Sequence, residues 1–192
     1  MQRHVSNTPP ELRTERLLLR PITMEDGDAF FDIHSDEETL KYWSGEPISE
    51  RSEADALVKR ELEMSLQGKC INWAVALPDS NRLIGKFVLF QFSEQNRRAE
   101  VGYILNRRHW GLGYMSEVLS CVLDYAFNVL DLHRLEADTD PDNVASLALL
   151  EKFGFRREGL FRQRWYVNGK WLDSVMLGLL KQDYQSRPGH VG

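Results

Sequence analysis

The sequence predicts a single α/β domain built on a mixed sheet, and three observations carry that prediction. A length of 192 residues fits one domain. Helical and strand periodicities alternate along the chain and close on a hairpin. The composition, 42% hydrophobic and 28% charged, is that of an ordinary folded chain and excludes collagen-like, low-complexity and disulfide-stapled classes. Cys70 and Cys121 are too few for a four-ligand zinc site, and His4, His34, His109, His133 and His190 show no metal-ligand spacing, so no metal is expected. No apolar run approaches the ~20 residues a membrane helix requires. Met1–Pro10 lacks the apolar core of a secretion signal, so the expected compartment is reducing cytoplasm, without a membrane partner. A net charge of −5 argues against nucleic acid as a partner.

Each element follows from local pattern. Residues 1–11 are polar with a Pro-Pro pair and read as a flexible N-terminus; 12–182 read as the domain and 183–192 as a flexible C-terminal tail. Arg16–Ile22 is a short leucine-rich strand. Met24–Ser35 places Ala29, Phe30, Ile33 and His34 at helical spacing behind Thr23 as a cap. Ser49–Leu66 is a second helix, with Ser52 as its expected cap. Asn72–Leu77, Arg82–Phe92 and Arg98–Leu105 are strands separated by turn-rich Pro78–Asn81 and Ser93–Arg97. After Gly111–Gly113, Met115, Val118, Leu119, Val122, Leu123, Ala126, Phe127 and Leu130 form one continuous apolar face of a long helix. Arg134–Thr139 is a strand, and Val144–Phe153 is a helix stopped by Gly154. Phe155–Leu160 and Gln163–Val167 are strands, Asn168-Gly169 is a hairpin turn, and Trp171–Leu180 is the return strand.

The charge is unevenly placed. Met24–Gln67 holds thirteen acidic and four basic side chains, a local charge of −9 that leaves +4 for the rest. One reading is that these are solvated faces of two surface helices. The other is that one half meets a cationic ligand and the other an anionic one.

The segment from Ala99 to Tyr114 carries the most chemistry. A strand runs through a basic, glycine-containing turn into the long helix, and free N–H groups at a helix start, close backbone approach at Gly and the charges of Arg107 and Arg108 suit an anion. A Walker loop would need Gly-Lys-Ser/Thr, and a dinucleotide turn would need a third Gly where Ser116 stands. Neither pattern is met.

Arg108-x-x-Gly111-x-Gly113 resembles the Arg/Gln-x-x-Gly-x-Gly/Ala signature of the GCN5-related N-acetyltransferases, the GNAT superfamily. Asn143-Val144-Ala145-Ser146-Leu147-Ala148-Leu149-Leu150-Glu151-Lys152-Phe153-Gly154-Phe155 resembles the Asn-x-x-Ser-x-x-Leu-Leu-Glu-Lys-x-Gly-Phe segment of its ribosomal-protein N-terminal acetyltransferase branch, the RimJ/RimL type. Arg13–Arg20 resembles that branch's opening strand. Phe155–Gly159, Tyr166–Gly169 and Asp173 resemble its end. The likeness spans Glu11 to Leu180. It implies a GNAT-like fold: a mixed, mostly antiparallel sheet of six to seven strands, about four flanking helices and a splayed central strand pair. It further implies acetyl transfer from acetyl-CoA to a primary amine, by direct attack in a ternary complex.

On that resemblance the CoA-binding set is Tyr103, Ile104, Leu105, Arg108, His109, Trp110, Gly111, Leu112, Gly113, Tyr114, Met115, Ser116, Asn143, Ser146 and Lys152. The amine must lose a proton to attack. Glu158, at the position given a base role in the ribosomal-protein branch, is the first candidate, and Glu100 the competitor. Strand alternation puts Glu100, Gly102 and Ile104 on one face. Backbone N–H groups around Tyr103–Leu105 are the expected oxyanion donors. Ser146 is the candidate donor to the departing thiolate and Asn143 the pantetheine partner; where many relatives carry a tyrosine acid, this chain has Leu150. The resemblance implies an amine acceptor, which is a protein N-terminus, a polyamine, an aminoglycoside or another small amine, and the acidic helices suit a cationic one. Aromatics Tyr42, Trp43, Trp165 and Tyr166 are candidate pocket walls. A non-catalytic CoA-binding regulatory module is the alternative, resting on Leu150. Family members are often dimers, so the resemblance admits a homodimer.

Overall fold

In the computed structural model, residues 8–43 and 45–187 are described; His4, His190 and the outer parts of both expected flexible termini lie outside them. The strands are β1 (Leu12–Arg13), β2 (Leu18–Pro21), β3 (Cys70–Ala76), β4 (Leu83–Ser93), β5 (Arg98–Leu105), β6 (Arg134–Thr139), β7 (Arg156–Val167) and β8 (Lys170–Leu180). They form one sheet in the order β1-β2-β3-β4-β5-β6-β8-β7. The helices are α1 (Gly27–His34), α2 (Glu37–Leu40), α3 (Arg51–Leu66), α4 (Tyr114–Asp124), α5 (Val144–Lys152) and α6 (Lys181–Gln185).

The α/β class agrees with expectation, but the sheet has eight strands instead of six to seven, and six α-helices replace about four among the described residues. The extra strand is β1, a two-residue edge pairing Leu12 with Leu19 and Arg13 with Leu18. The extra helices are short. Asp36 starts α2 by accepting from the Thr39 N–H at 3.0 Å, and α6 lies where a tail was expected, with Tyr184 buried. Pro10 is likewise tied down, its carbonyl accepting from Trp73 Nε1 at 2.9 Å.

Two compact units divide the chain, one from Met1–Phe90 with Gly102–Leu123, the other from Gln91–Val101 with Asp124–Gly192. In the first, α1 and α3 cover Ile22, Ala74, Leu83 and Ile104 with Phe30, Ile33, Ala54 and Val58. Thr23, expected to cap α1, instead starts a 3₁₀ turn, Met24–Asp26, that precedes the helix; the Thr23 N–H donates to Asp26 at 2.8 Å. Helix α3 is not capped by Ser52: Glu53 reaches back to the N–H groups of Glu50 (2.8 Å) and Ser49 (3.0 Å). A carboxylate in the first turn satisfies orphan donors and suits the helix dipole. The stripe on α4 is buried throughout at Val118, Leu119, Val122 and Leu123, each worth roughly 1.5–3 kcal/mol of apolar burial.

In the second unit, Tyr125–Val129 form one π turn, a break the apolar spacing did not announce. Tyr184 fixes its start, donating to Asp124 at 2.6 Å and packing on Phe127 with ring centres 5.1 Å apart. The expected strands 155–160 and 163–167 are one strand, β7, interrupted by register shifts against β8. At the second shift Gln163 takes a φ of +53° and donates its N–H to Asp173 at 2.8 Å, so a bulge occupies what read as a gap. No helix of the described residues is long and apolar enough to cross a membrane.

Candidate active site

The basic turn and the start of α4 belong to the first unit. Asn106 opens a 3₁₀ turn over Arg107–His109 by accepting from the Arg108 N–H at 3.0 Å. Arg107 is anchored, its N–H to Thr39 Oγ1 at 3.3 Å and its guanidinium to Asp36 at 3.2 Å, whereas the Arg108 side chain stands in solvent. Trp110 donates its indole N–H to the Leu105 carbonyl at 2.7 Å and keeps an exposed face. The rings of His109 and Tyr114 lie 6.2 Å apart. Gly111 and Gly113 have φ of +73° and +78°, a region costly for residues with a Cβ, and the space over Gly111 is open for 4 Å. The first intrahelical bonds run from Ser116 (3.1 Å) and Glu117 (3.3 Å) to the Gly113 carbonyl, so the N–H groups before Ser116 precede the helical ladder. Exposed positive-φ glycines, a helix start and a solvent-facing arginine fit a diphosphate. Met115, Ser116 and Tyr114 are half-buried on this first turn, and Leu112 is exposed beside the glycines.

Upstream, Tyr103 stacks on Phe87 with ring centres 5.7 Å apart, while Gly102 faces Val88 and Phe90, and Ile104 is buried. A Cβ on Gly85 would come within 2.6 Å of the Ile104 carbonyl, so glycine there lets β4 pass close to β5. Parallel pairing of β5 with β6 runs only from Arg98↔Arg134 to Glu100↔Glu136, although β5 continues to Leu105 and β6 to Thr139.

The candidate carboxylates lie in the second unit, and their surroundings differ. Glu158 is gripped by Arg134, with Nη1 at 3.0 Å from Oε1 and Nη2 on Oε2. That guanidinium holds its carboxyl below the ordinary range despite partial burial, and its Nε also donates to Glu136 at 2.9 Å. Gly178 makes the space for this pair, since a Cβ there would overlap both side chains. Glu100 is 7% exposed, and no side chain among the described residues donates a hydrogen bond to it. Burial first, then the negative charges of Asp138 and Glu136, push it up to about 7, against the pull of Arg164 and Arg98. Asp138 itself is satisfied by Arg164 Nε (2.7 Å), Trp165 Nε1 (3.2 Å) and Ser174.

Sequence reading missed these two acidic neighbours of Glu100. The signal was present in the alternation of Arg134–Thr139, which puts Arg134, Glu136 and Asp138 on one face. It also missed Arg16, which reaches Glu117, Tyr114 and the Leu112 carbonyl from a segment read only as a strand start.

Among the remaining candidates, Asn143 caps α5 by accepting the Ser146 N–H at 3.1 Å, which occupies its Oδ1. Ser146 is half-buried in the first turn of α5, and Lys152 is exposed, 5.9 Å above the Phe153 ring. Leu150 is a core side chain, 1% exposed. Trp43 packs against the core of the first unit under Lys86, whereas Tyr166 and Trp171 face each other across the β7–β8 hairpin. Six of the thirteen acidic residues in Met24–Gln67 are in ion pairs: Asp26 with Arg20, Asp28 and Asp55 with Arg51, Asp32 with Arg82, Asp36 with Arg107, and Glu61 with Lys86. Among the described residues, no three His, Cys, Asp or Glu side chains group as metal ligands.

This chain is similar to known proteins. Residues 16–156 match the acetyltransferase (GNAT) domain family. The chain is 36% identical over 173 residues to the uncharacterized N-acetyltransferase p20 of Bacillus licheniformis, covering 90% of this chain and 97% of that protein. It is 28% identical to the [ribosomal protein uS5]-alanine N-acetyltransferase of Escherichia coli, over 93% of this chain and 95% of that one. With the spermidine N(1)-acetyltransferase of Vibrio cholerae it shares 24% identity over 90% and 97% of the two chains. Among solved structures, a GNAT-family acetyltransferase from Bacillus anthracis superposes with a TM-score of 0.79 at 28% identity, covering 90% of this chain and 99% of that one.

Proposed function

Because this chain belongs to the GNAT family and is an N-acetyltransferase that uses acetyl-CoA, we propose that Glu100 is the base that takes a proton from its amine acceptor. The observation that supports this reading is the contrast between the two carboxylates: Glu100 is buried, free of hydrogen-bond donors among the described residues and poised at about 7, while Glu158 is committed to Arg134. A base works best with a pKa near the working pH. Glu158 could serve only by giving up its guanidinium.

Acetyl-CoA, when bound, supplies the thioester carbonyl that an amine attacks and the thiolate that leaves. The chain's own residues have separate tasks. Gly111 and Gly113, with the N–H groups that open α4, hold the diphosphate, and Arg108 adds charge beside them. Tyr103–Leu105 lies beyond the end of the β5–β6 ladder, where backbone N–H groups can meet the carbonyl oxygen. Ser146 donates to the departing sulfur, and Asn143 and Lys152 contact the CoA arm.

The acceptor is a primary amine. The Escherichia coli and Vibrio cholerae relatives act on a ribosomal-protein alanine and on spermidine, and either class fits the same chemistry. Acidic residues of α1–α3 outside ion pairs among the described residues, such as Glu37, Glu38 and Glu63, favour a cationic acceptor; the compartment we assign is the cytoplasm. The test is thiol release from acetyl-CoA with spermidine, an aminoglycoside and an alanine-initiated peptide as acceptors, the product identified by mass. Release with one class assigns the acceptor; tight CoA binding without release for any amine would overturn the reading of the site.

A further inference from the structure

We propose that Arg16 is a positioning residue for the CoA loop: it cancels the charge of Glu117 in the first turn of α4 and draws back the Leu112 carbonyl, so that the glycine turn offers a diphosphate only donors. The inference rests on the assignment of that turn to CoA. It adds a residue from the N-terminal end of the domain, about a hundred positions from the loop it serves.

The contacts converge on two groups of the loop. Arg16 Nη2 donates to the Leu112 carbonyl at 3.0 Å, and Nε and Nη2 both pair with the Glu117 carboxylate. The guanidinium lies 4.6 Å from the centre of the Tyr114 ring. It also flanks Gly113, where a Cβ would sit 3.4 Å from Nη2. Glu117 receives two further donors, Thr14 Oγ1 at 2.9 Å and the Arg16 N–H at 3.3 Å. The carboxylate therefore stays ionised, facing the turn between β1 and β2 on one side and the loop on the other.

A first-turn glutamate creates a conflict. It suits the helix dipole and so favours α4. The same charge opposes a diphosphate binding at the same helix end, and in a partly buried setting that repulsion is weakly screened. Arg16 removes the conflict by pairing with Glu117 through Nε and Nη2 while Nη2 also reaches the Leu112 carbonyl, a planar fork that a lysine's point charge does not reproduce.

The experiment measures CoA affinity and the acetyl-CoA KM on the full chain for the wild type, R16A, R16K, E117Q and R16A/E117Q, at low and at physiological salt. Arg16→Ala should weaken CoA roughly 10-fold at low salt, with a smaller effect at higher salt, and the change should fall on the acetyl-CoA KM and not on kcat. R16A/E117Q should recover most of that loss, because the uncancelled charge is gone; a clamp that acts only through folding would leave the double variant as weak as R16A. R16K should fall between. E117Q alone, which keeps Arg16, should bind CoA as tightly as the wild type or more tightly, and this outcome is readable even if R16A does not fold. Unchanged CoA affinity in R16A, no recovery in the double variant, or weaker binding by E117Q overturns the proposal. Absence of CoA binding by the wild type would instead remove the loop assignment, and the role of Arg16 with it.

Discussion

Arg134 grips the Glu158 carboxylate with two guanidinium nitrogens, Nη1 lying 3.0 Å from Oε1, and turns its Nε to Glu136 at 2.9 Å. A carboxylate so engaged contributes to stability. Its lowered pKa means the stabilisation is full above the unfolded value near 4.5 and is lost as acid takes the pH down through the folded value. The pair is partly exposed, so Glu158→Gln should cost no more than about 1 kcal/mol at pH 7. Thermal melts at pH 7 and pH 3.5 should show the two proteins converging in acid.

Glu100 carries the opposite sign. Its folded pKa, about 7 against 4.5, means the native state holds a proton that the unfolded chain has lost, so stability falls as pH rises between those values. Glu100→Gln cannot ionise and should therefore stabilise the fold above pH 7. At ~1.4 kcal/mol per unit the gain is about 3 kcal/mol at most. Denaturant unfolding at pH 5 and pH 8.5 should find the variant near the wild type at the first and above it at the second.

Gly111 has room for a side chain but not the backbone for one: nothing lies within 4 Å, while φ is +73°. Gly111→Val should cost roughly 1–2 kcal/mol in stability through that strain. It should raise the acetyl-CoA KM much more than the acceptor KM, since it fills the approach to the backbone. Steady-state kinetics with each substrate varied in turn separates the two.

Gly85 presents the reverse case. Its φ is unremarkable, but a Cβ would meet the Ile104 carbonyl at 2.6 Å, and a main-chain atom in a strand cannot turn aside. Gly85→Ala should destabilise by about 1–3 kcal/mol. Unfolding monitored by Trp fluorescence gives the number.

Salt tests the acidic helices. If Glu37, Glu38 and their neighbours draw in a cationic amine, raising ionic strength should raise the acceptor KM. Six of the thirteen acids already face Arg or Lys, so the rise should be no more than a few-fold between roughly 20 and 200 mM salt. A KM independent of salt returns these residues to a solvated surface.

Elements written in a long periodic pattern are legible in the sequence itself. The α4 stripe from Val118 to Leu123 and the strand limits of β5 and β6 match their pattern residue for residue. What escapes such a reading is either short or made by distant pairing. Leu12–Arg13 is too brief to show a period and becomes a strand only by bonding to β2. The β7 bulge depends on Asp173, ten residues away, accepting the Gln163 N–H. At Glu100, the neighbours Glu136 and Asp138 arrive across the β5–β6 pairing. Arg134, a lone basic residue at a strand start, gives no sign that it occupies Glu158. The glycine turn is legible because its conformation is a local property of its residues. The carboxylates are not, because their roles depend on which charges fold beside them.

The most direct test of Glu100 as base is the pH dependence of kcat/KM for acetyl transfer to one amine, measured for the wild type, E100Q and E158Q. The wild-type profile should contain an ascending limb near pH 7; E158Q should keep that limb, and E100Q should lose it while falling by about 10²–10⁴ in rate. A limb retained in E100Q and lost in E158Q would contradict the assignment and return the base to Glu158.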